Sequence, residues 1–209
     1  MKYFRSLLKD IGGGPAAEFA LVLPLAIIFL FGIIDVGRLM WTWNMAEKAT
    51  QMGVRYAVVT DYVVPGIATQ SFVGQSSLTQ GDPIPVSAYG TTTCIKPSTT
   101  VTCTCVGTCP WGASPTVATG SPDPFTRIFN RMDAIMPELA PANIQVLYKP
   151  SGLGFAGDPN GSDIAPLVTV QLTGVTFQPF LLQLFGGTIT LPNFSASLTL
   201  EDGAGTVSN

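Results

Sequence analysis

The chain has 209 residues, of which 46% are apolar and 11% are charged, and its net charge is −3. That length accommodates one membrane element and one modest soluble domain. The acidic balance, with no lysine or arginine cluster beyond the first ten residues, excludes nucleic acid as a partner. The chain contains no histidine, which removes Ser/His/Asp and Cys/His nucleophiles and zinc sites built on imidazole.

An uncharged apolar run, FALVLPLAIIFLFGII, lies between Glu18 and Asp35. With short apolar flanks it approaches the roughly 20 residues that a membrane-spanning helix needs. Trp41 and Trp43 follow it, as expected of aromatic rings that settle at the far membrane interface. The run therefore predicts a single membrane span.

The flanks of this run predict its orientation. Lys2, Arg5 and Lys9 precede it, and such a positive flank stays on the cytoplasmic side, so the chain after about residue 40 is expected outside the cytoplasm. No small-residue cleavage site follows the run, which reads DVGRLMWTW there, so the anchor is predicted to be retained.

The helical pattern continues beyond the membrane. Apolar positions recur at steps of four and three residues, on the face opposite to several polar ones. These apolar positions are Met45, Ala49, Met52, Tyr56 and Val59. The pattern predicts one helix from about Pro15 to Val59, which at 1.5 Å per residue is about 67 Å long.

Glu18 lies at the start of the apolar run, where a carboxylate either extends to the interface or has a partner. The residues before it, a basic leader ending in three glycines and then Pro15, resemble the processing site of type IV pilin-like proteins. This resemblance implies that a prepilin peptidase cuts between Gly13 and Gly14 and leaves Glu18 fifth in the mature chain. It also implies that Glu18, with Phe19 beside it, pairs with the new α-amino group of an adjacent subunit.

A longer set of residues narrows the resemblance. The stretch AAEFALVLPLAIIFLFGIIDVGR, followed by ATQMGVRYA, is similar to the TadE-like family of minor pilins or pseudopilins of the tight adherence (Flp) pilus system. Besides Glu18, the family motif falls on Pro24, Asp35, Gly37, Arg38, Gly53, Arg55 and Ala57. The resemblance implies a non-enzymatic subunit without cofactors, in the bacterial inner membrane. Its expected partners are other pilin or pseudopilin subunits and the pilus assembly machinery.

Two other functions compete with this one. The first is an uncleaved, permanently anchored envelope protein whose outer domain binds a ligand or an assembly component. The second is an enzyme, for which the sequence shows no convergent acid/base pair, P-loop or G-x-S-x-G motif.

Four cysteines fall in a stretch rich in Gly, Pro, Ser and Thr: Cys94, Cys103, Cys105 and Cys109. Outside the cytoplasm this even count predicts two disulfides. Pairing Cys103 with Cys105 would strain the ring, which leaves Cys94–Cys103 with Cys105–Cys109, or Cys94–Cys105 with Cys103–Cys109. A four-thiolate zinc site is the competing interpretation, but the cysteines lack paired C-x-x-C spacing.

The last third of the chain predicts a helix and then strands. A helix begins after the cap at Asp123 and ends before Pro137. Alternating residues predict strands in ANIQVLYK, LVTVQLTG and TITLPNFSASLTLE, with a break at Pro192 and Asn193. Between the last two, FQPFLLQLFGG predicts a short amphipathic helix or compact apolar loop that either packs beneath the sheet or stays exposed for a partner or membrane.

These segments predict a pilin-like α+β fold, with a long helix first and a small antiparallel sheet covered on one face. The expected divisions are a basic leader at 1–13, a membrane and stalk helix at 14–59, a cysteine-containing loop region at 60–122, and a helix with strands at 123–209.

Overall fold

The computed structural model describes residues 14–159, 161–183, 186–201 and 203–206. A long apolar N-terminal helix, α1 (Gly14–Val59), precedes a small antiparallel sheet domain with two disulfides, which confirms the predicted fold class. The chain forms two compact units: one holds the described parts of residues 1–42 and 176–189, and the other holds those of 43–175 and 190–209.

The buried face of α1 in the second unit differs from the predicted one. Of the predicted apolar stripe only Ala49 is buried, while Met45, Met52, Tyr56 and Val59 are half-buried. The face that is buried is made largely of small residues, namely Ala46, Ala49, Thr50, Gly53 and Ala57. Hydrophobic periodicity gives most weight to large apolar side chains. The prediction therefore centred the buried face of α1 on Met45, Met52 and Tyr56, which lie at its margin.

Close packing explains why small residues occupy this face. A Cβ atom added at Gly53 would lie 2.7 Å from Met132 Sδ and 3.3 Å from a methyl carbon of Val170. Met132 and Val170 are themselves fully buried. Gly53 therefore sets how closely α1 approaches the next helix and the sheet.

Five strands form the main sheet, in the order β2-β1-β3-β4-β7, and every neighbouring pair is antiparallel. The strands are β1 (Thr91–Ile95), β2 (Thr102–Val106), β3 (Ile144–Lys149), β4 (Leu167–Leu172) and β7 (Phe194–Thr199). The strands predicted in ANIQVLYK and LVTVQLTG are confirmed as β3 and β4. The third predicted strand is split, as expected, into β6 (Ile189–Thr190) and β7.

One face of the sheet forms the core. Alternate residues of β3 are buried, and the register brings Val146 beside Val170 and Tyr148 beside Val168. Tyr148 is 1% exposed, and its buried hydroxyl oxygen accepts the backbone N–H of Val63 at 3.0 Å. On the opposite face Thr169 and Ser197 join their hydroxyls at 2.8 Å. The alternating burial of β1, β2 and β3 agrees with the prediction of one covered sheet face, whereas in β4 Thr169 on the other face is buried as well.

The helix predicted after Asp123 is present as α3 (Pro124–Asp133). The side chain of Asp123 accepts the Thr126 N–H at 2.8 Å and lies 3.3 Å from Lys96 Nζ. Burial raises the pKa of Asp123, but the hydrogen bonds from Thr126 and the charge of Lys96 outweigh it and leave this pKa below its usual value. The cap is therefore an ionised carboxylate at neutral pH.

The cysteine-containing region holds short elements and both disulfides. The short helix α2 (Pro65–Thr69) precedes the hairpin of β1 and β2. Cys94 and Cys103 are directly paired across that hairpin and form one disulfide, while Cys105 and Cys109 close the turn after β2. The structure thus selects the first of the two pairings that the sequence leaves open, and it leaves no cysteine thiolate for zinc.

Replacing Gly53 with leucine tests the close packing of α1. The new side chain must displace Met132 and Val170, and overpacking of this kind costs about 1–3 kcal/mol, more than the gain of about 0.8 kcal/mol in helix propensity. We expect Gly53→Leu to lower the thermal unfolding midpoint of the detergent-solubilised protein.

The matched control for this variant is Gln51→Leu, which adds the same side chain at an exposed position of the same helix. Surface substitutions of this kind change stability by about 0.5 kcal/mol or less. Equal unfolding midpoints for the two variants would contradict the close packing of Gly53.

Candidate functional site

The first half of α1 exposes large apolar side chains. Phe19, Leu21, Leu25 and Phe29 are between 64% and 79% exposed. The most apolar window of this helix has a mean hydropathy of 2.7 and is 6% buried, and α1 is the one helix within the described residues that is long and apolar enough to cross a membrane. A core helix of a soluble protein would be covered, so this exposure makes α1 a candidate membrane span.

Glu18 is exposed at the start of this span. Within the described ranges of the chain, no hydrogen bond or ion pair reaches its carboxylate. Phe19, directly after it, is 64% exposed. Gly14, on one side of the expected processing site, is the first described residue of α1, and Gly13, with the leader at 1–13, lies outside the described residues.

Asp35 has the opposite environment, although it lies on the same helix. It is 7% exposed, and its two carboxylate oxygens accept the backbone N–H groups of Phe180 at 2.8 Å and Leu181 at 3.1 Å. These amides begin a short helix, α4 (Phe180–Gln183), and the first amides of a helix have no acceptor within it. Asp35 therefore caps a segment that lies 145 residues further along the chain.

Arg38 completes this contact from the next turn of α1. Its Nη1 atom lies 3.4 Å from Asp35 Oδ1 and donates to the Gln178 carbonyl oxygen at 3.4 Å. The guanidinium carbon is 4.1 Å from the centre of the Phe180 ring and 5.3 Å from that of Phe177. A guanidinium over an aromatic face is attracted by the ring, so Arg38 holds the segment through both its backbone and its side chains.

We call residues 176–183 and 186–189 the Asp35 hairpin. It consists of β5 (Thr176–Phe177), α4 and Ile189 of β6, and β5 pairs with β6. Phe177 is 5% exposed, whereas Phe180 and Leu182 are 49% and 42% exposed. The hairpin contacts Phe31, Asp35 and Arg38 of α1, an arrangement that the sequence did not predict. Leu184 and Phe185, which belong to the predicted apolar cluster, lie outside the described residues.

The remaining motif residues fall at separate places. Pro24 lies within α1, which continues on both sides of it. Gly37 has open space where a Cβ atom would be, and Gly53 is the close contact already described. Arg55 is exposed beside Arg131 and Glu201 in a shallow groove, and Ala57 is buried. The motif therefore does not converge on a single pocket.

Comparison with known proteins identifies one family for the N-terminal part of the chain. Residues 13–55 match the sequence model of the TadE-like protein family. This match confirms the resemblance expected from the motif, and it covers Glu18, Asp35, Arg38 and Arg55, while Ala57 lies just beyond it. No curated protein and no solved structure matches the chain.

We refer to residues 13–55 as the TadE-like segment. This segment indicates involvement in the tight adherence (Flp) pilus system, whose TadE-like proteins are in general not enzymes. Among the described residues, no group of three or more acidic or cysteine side chains is placed to hold a metal ion.

Sequence reasoning missed the partners of Asp35 and Arg38. Their spacing of three residues on a helix allows the ion pair at 3.4 Å, but nothing in the sequence connects them with Gln178, Phe180 and Leu181. A contact over 145 residues leaves no periodic signal in a single sequence. Residues 164–200 contain no charged side chain, so within that range Asp35 and Arg38 can be satisfied only by uncharged groups.

Replacing Asp35 with alanine tests the cap. It removes the acceptor of two backbone amides, which would then open to solvent more often. We expect the amide hydrogens of Phe180 and Leu181 to exchange at least about tenfold faster, measured by hydrogen exchange and mass spectrometry on the solubilised protein.

The control is Asp133→Ala, which removes the same charge at the end of α3. Exchange within the Asp35 hairpin should be the same as in the wild-type protein. Unchanged exchange in Asp35→Ala would show that Asp35 does not hold the hairpin.

Proposed function

We propose that this protein is a membrane-anchored minor pilin or pseudopilin that takes part in the assembly of a tight adherence (Flp) pilus for surface attachment. The observation that carries the proposal is Glu18, a carboxylate without a partner among the described residues, at the start of an exposed apolar helix within the TadE-like segment. Its role is structural, through contacts with other subunits.

The exposed apolar surface of α1 supports a role in assembly. In the membrane, lipid covers side chains such as Leu21 and Leu25. When a subunit leaves the membrane, the same side chains need a new apolar environment, and the helices of neighbouring subunits provide one. A helix with this surface therefore suits both a membrane anchor and the centre of a filament.

The pairing of Glu18 follows from the cost of a charge in lipid. A carboxylate at the membrane edge is stabilised by an opposite charge more strongly there than in water, because the dielectric constant is lower. Cleavage between Gly13 and Gly14 by a prepilin peptidase would create such a charge, a free α-amino group, on every subunit. The amino group of one subunit would then pair with Glu18 of the next.

The leader would serve to orient the chain before cleavage. Lys2, Arg5 and Lys9 hold the N-terminus in the cytoplasm and place the sheet domain in the periplasm, where the disulfides of Cys94 with Cys103 and Cys105 with Cys109 can form. Removal of residues 1–13 takes away all three of these basic residues. The processed subunit is then easier to withdraw from the membrane.

Processing is tested by sequencing the N-terminus of the protein from cells with and without the prepilin peptidase. We expect Gly14 as the first residue when the peptidase is present, and Met1 when it is absent. An intact Met1 in both strains would reject processing and favour a permanently anchored envelope protein.

The pairing is tested with Glu18→Gln, which keeps the size of the side chain and removes its charge. We expect this variant to insert in the membrane and be processed, but to lose crosslinks to neighbouring pilin subunits in intact cells. The control is Glu47→Gln on the same helix, which retains an acceptor for the Trp43 indole N–H that Glu47 binds at 2.9 Å. Equal crosslinking by both variants would reject the subunit role of Glu18.

A further inference from the structure

We infer that the Asp35 hairpin is a second membrane contact, whose exposed apolar side chains enter the lipid leaflet at the C-terminal end of the α1 span. The occupant of this surface is lipid. The inference requires that α1 lies in a membrane, and it is independent of processing and of pilus assembly. It goes beyond the TadE-like segment, because the hairpin lies outside residues 13–55.

The position of the hairpin along α1 carries the first step. The ring centres of Phe180 and Phe31 are 6.5 Å apart. Phe31 belongs to the uncharged apolar run and is 40% exposed, so in a membrane it faces lipid. Phe180 therefore lies at the depth of the span itself.

The aromatic residue of the interface supports the same depth. Trp41 is 69% exposed and follows Asp35 by six residues, or about 9 Å along a helix. Exposed tryptophan rings settle at the level of the lipid headgroups. The hairpin is bound at Asp35 and Arg38, on the lipid side of that level.

The composition of the hairpin fits lipid. Residues 176–189 contain no charged side chain. Phe180, Leu182 and Ile189 are 49%, 42% and 37% exposed. These side chains continue the apolar surface of α1, which contacts the same leaflet.

Backbone groups of the hairpin have the partners that a site at membrane depth requires at the positions that contact α1 and in its turn. Irregular backbone is tolerated there only where its polar groups are satisfied. Asp35 accepts the N–H groups of Phe180 and Leu181, and Arg38 donates to the Gln178 carbonyl. Later in the hairpin, Gln183 N–H donates to the Pro179 carbonyl at 2.8 Å, and Gly187 N–H donates to the Leu182 carbonyl at 2.8 Å.

The contacts of Asp35 and Arg38 with the hairpin explain how two charged side chains are accommodated at the membrane edge. Asp35 and Arg38 lie against each other and against the polar backbone of the hairpin, so neither charge faces the apolar side chains without a partner. Their arrangement presents Phe180, Leu182 and Ile189 on an uncharged surface to the leaflet. Asp35 and Arg38 are thus positioning residues for the membrane contact.

The test uses a fluorescent probe on the full-length protein in phospholipid vesicles. All four native cysteines are in disulfides, so Leu182→Cys provides one free thiol for an environment-sensitive label without reductant. The matched control is Leu153→Cys, at a leucine that is 53% exposed in the sheet domain. Both probes are exposed to phospholipids that carry a spin label near the headgroup.

We expect the probe at position 182 to show blue-shifted emission and several-fold stronger quenching by the spin-labelled lipid than the probe at 153. Equal, weak quenching at both positions would overturn the inference. A blue shift that disappears on dilution with lipid, without quenching, would assign the surface to a second copy of the chain and would also overturn it.

A measurement on the wild-type protein avoids any disturbance by the label. A photoactivatable phospholipid in the same vesicles should form adducts within residues 177–183 as well as within 19–34, detected by mass spectrometry of chymotryptic peptides. Adducts confined to 19–34 would confirm the span and reject the second membrane contact.

Discussion

The contact of the Asp35 carboxylate with the Asp35 hairpin is the interaction on which the first compact unit depends. It accepts two backbone amides from a segment 145 residues away, and Arg38 adds a carbonyl contact and two aromatic contacts to the same segment. Hydrogen bonds to an ionised acceptor are about twice as strong as those between neutral groups. An apolar, uncharged segment is therefore held on a helix by a buried carboxylate and an exposed guanidinium.

In the sheet domain, small residues of α1 determine how the helix packs on its neighbours. Ala46, Ala49, Gly53 and Ala57 repeat at steps of three and four on α1, and all are buried. Because these side chains are short, a helix can lie close to its neighbours, as the contact of Gly53 with Met132 shows. The larger Met52 and Tyr56 lie at the margin of this face and are half-buried. Close approach, more than the burial of large side chains, thus defines this face of the helix.

The parts of the fold that follow from local pattern could be predicted from the sequence. The ends of α1, the strands β3 and β4, and the break before β7 all depend on periodicity, proline and capping within a few residues. The disulfide pairing needed the hairpin register, which brings Cys94 opposite Cys103. The buried face of α1 was misplaced because alanine and glycine contribute little to a hydrophobic pattern.

In the candidate site too, the local features could be predicted from the sequence and the long-range contacts could not. The motif from Glu18 to Arg55 could be recognised because it lies in one continuous stretch, and the TadE-like match covers that stretch. The partners of Asp35 could not be recognised, because they are mainly backbone groups of Gln178, Phe180 and Leu181, which any residue type can provide. The residue types at positions 178, 180 and 181 therefore do not reveal these backbone hydrogen bonds.

The two carboxylates of the span differ in what remains available to another molecule. Both oxygens of Asp35 are used within the chain, by two amides and Arg38, so a subunit that approached Asp35 would have to displace the hairpin first. Glu18 accepts no hydrogen bond from the described residues and lies exposed beside Phe19. A charge in lipid is stabilised by whichever opposite charge reaches it, and of these two only Glu18 has its oxygens open to one. The arrangement therefore separates a carboxylate whose oxygens are bound within the chain from one that stays exposed and has no partner among the described residues.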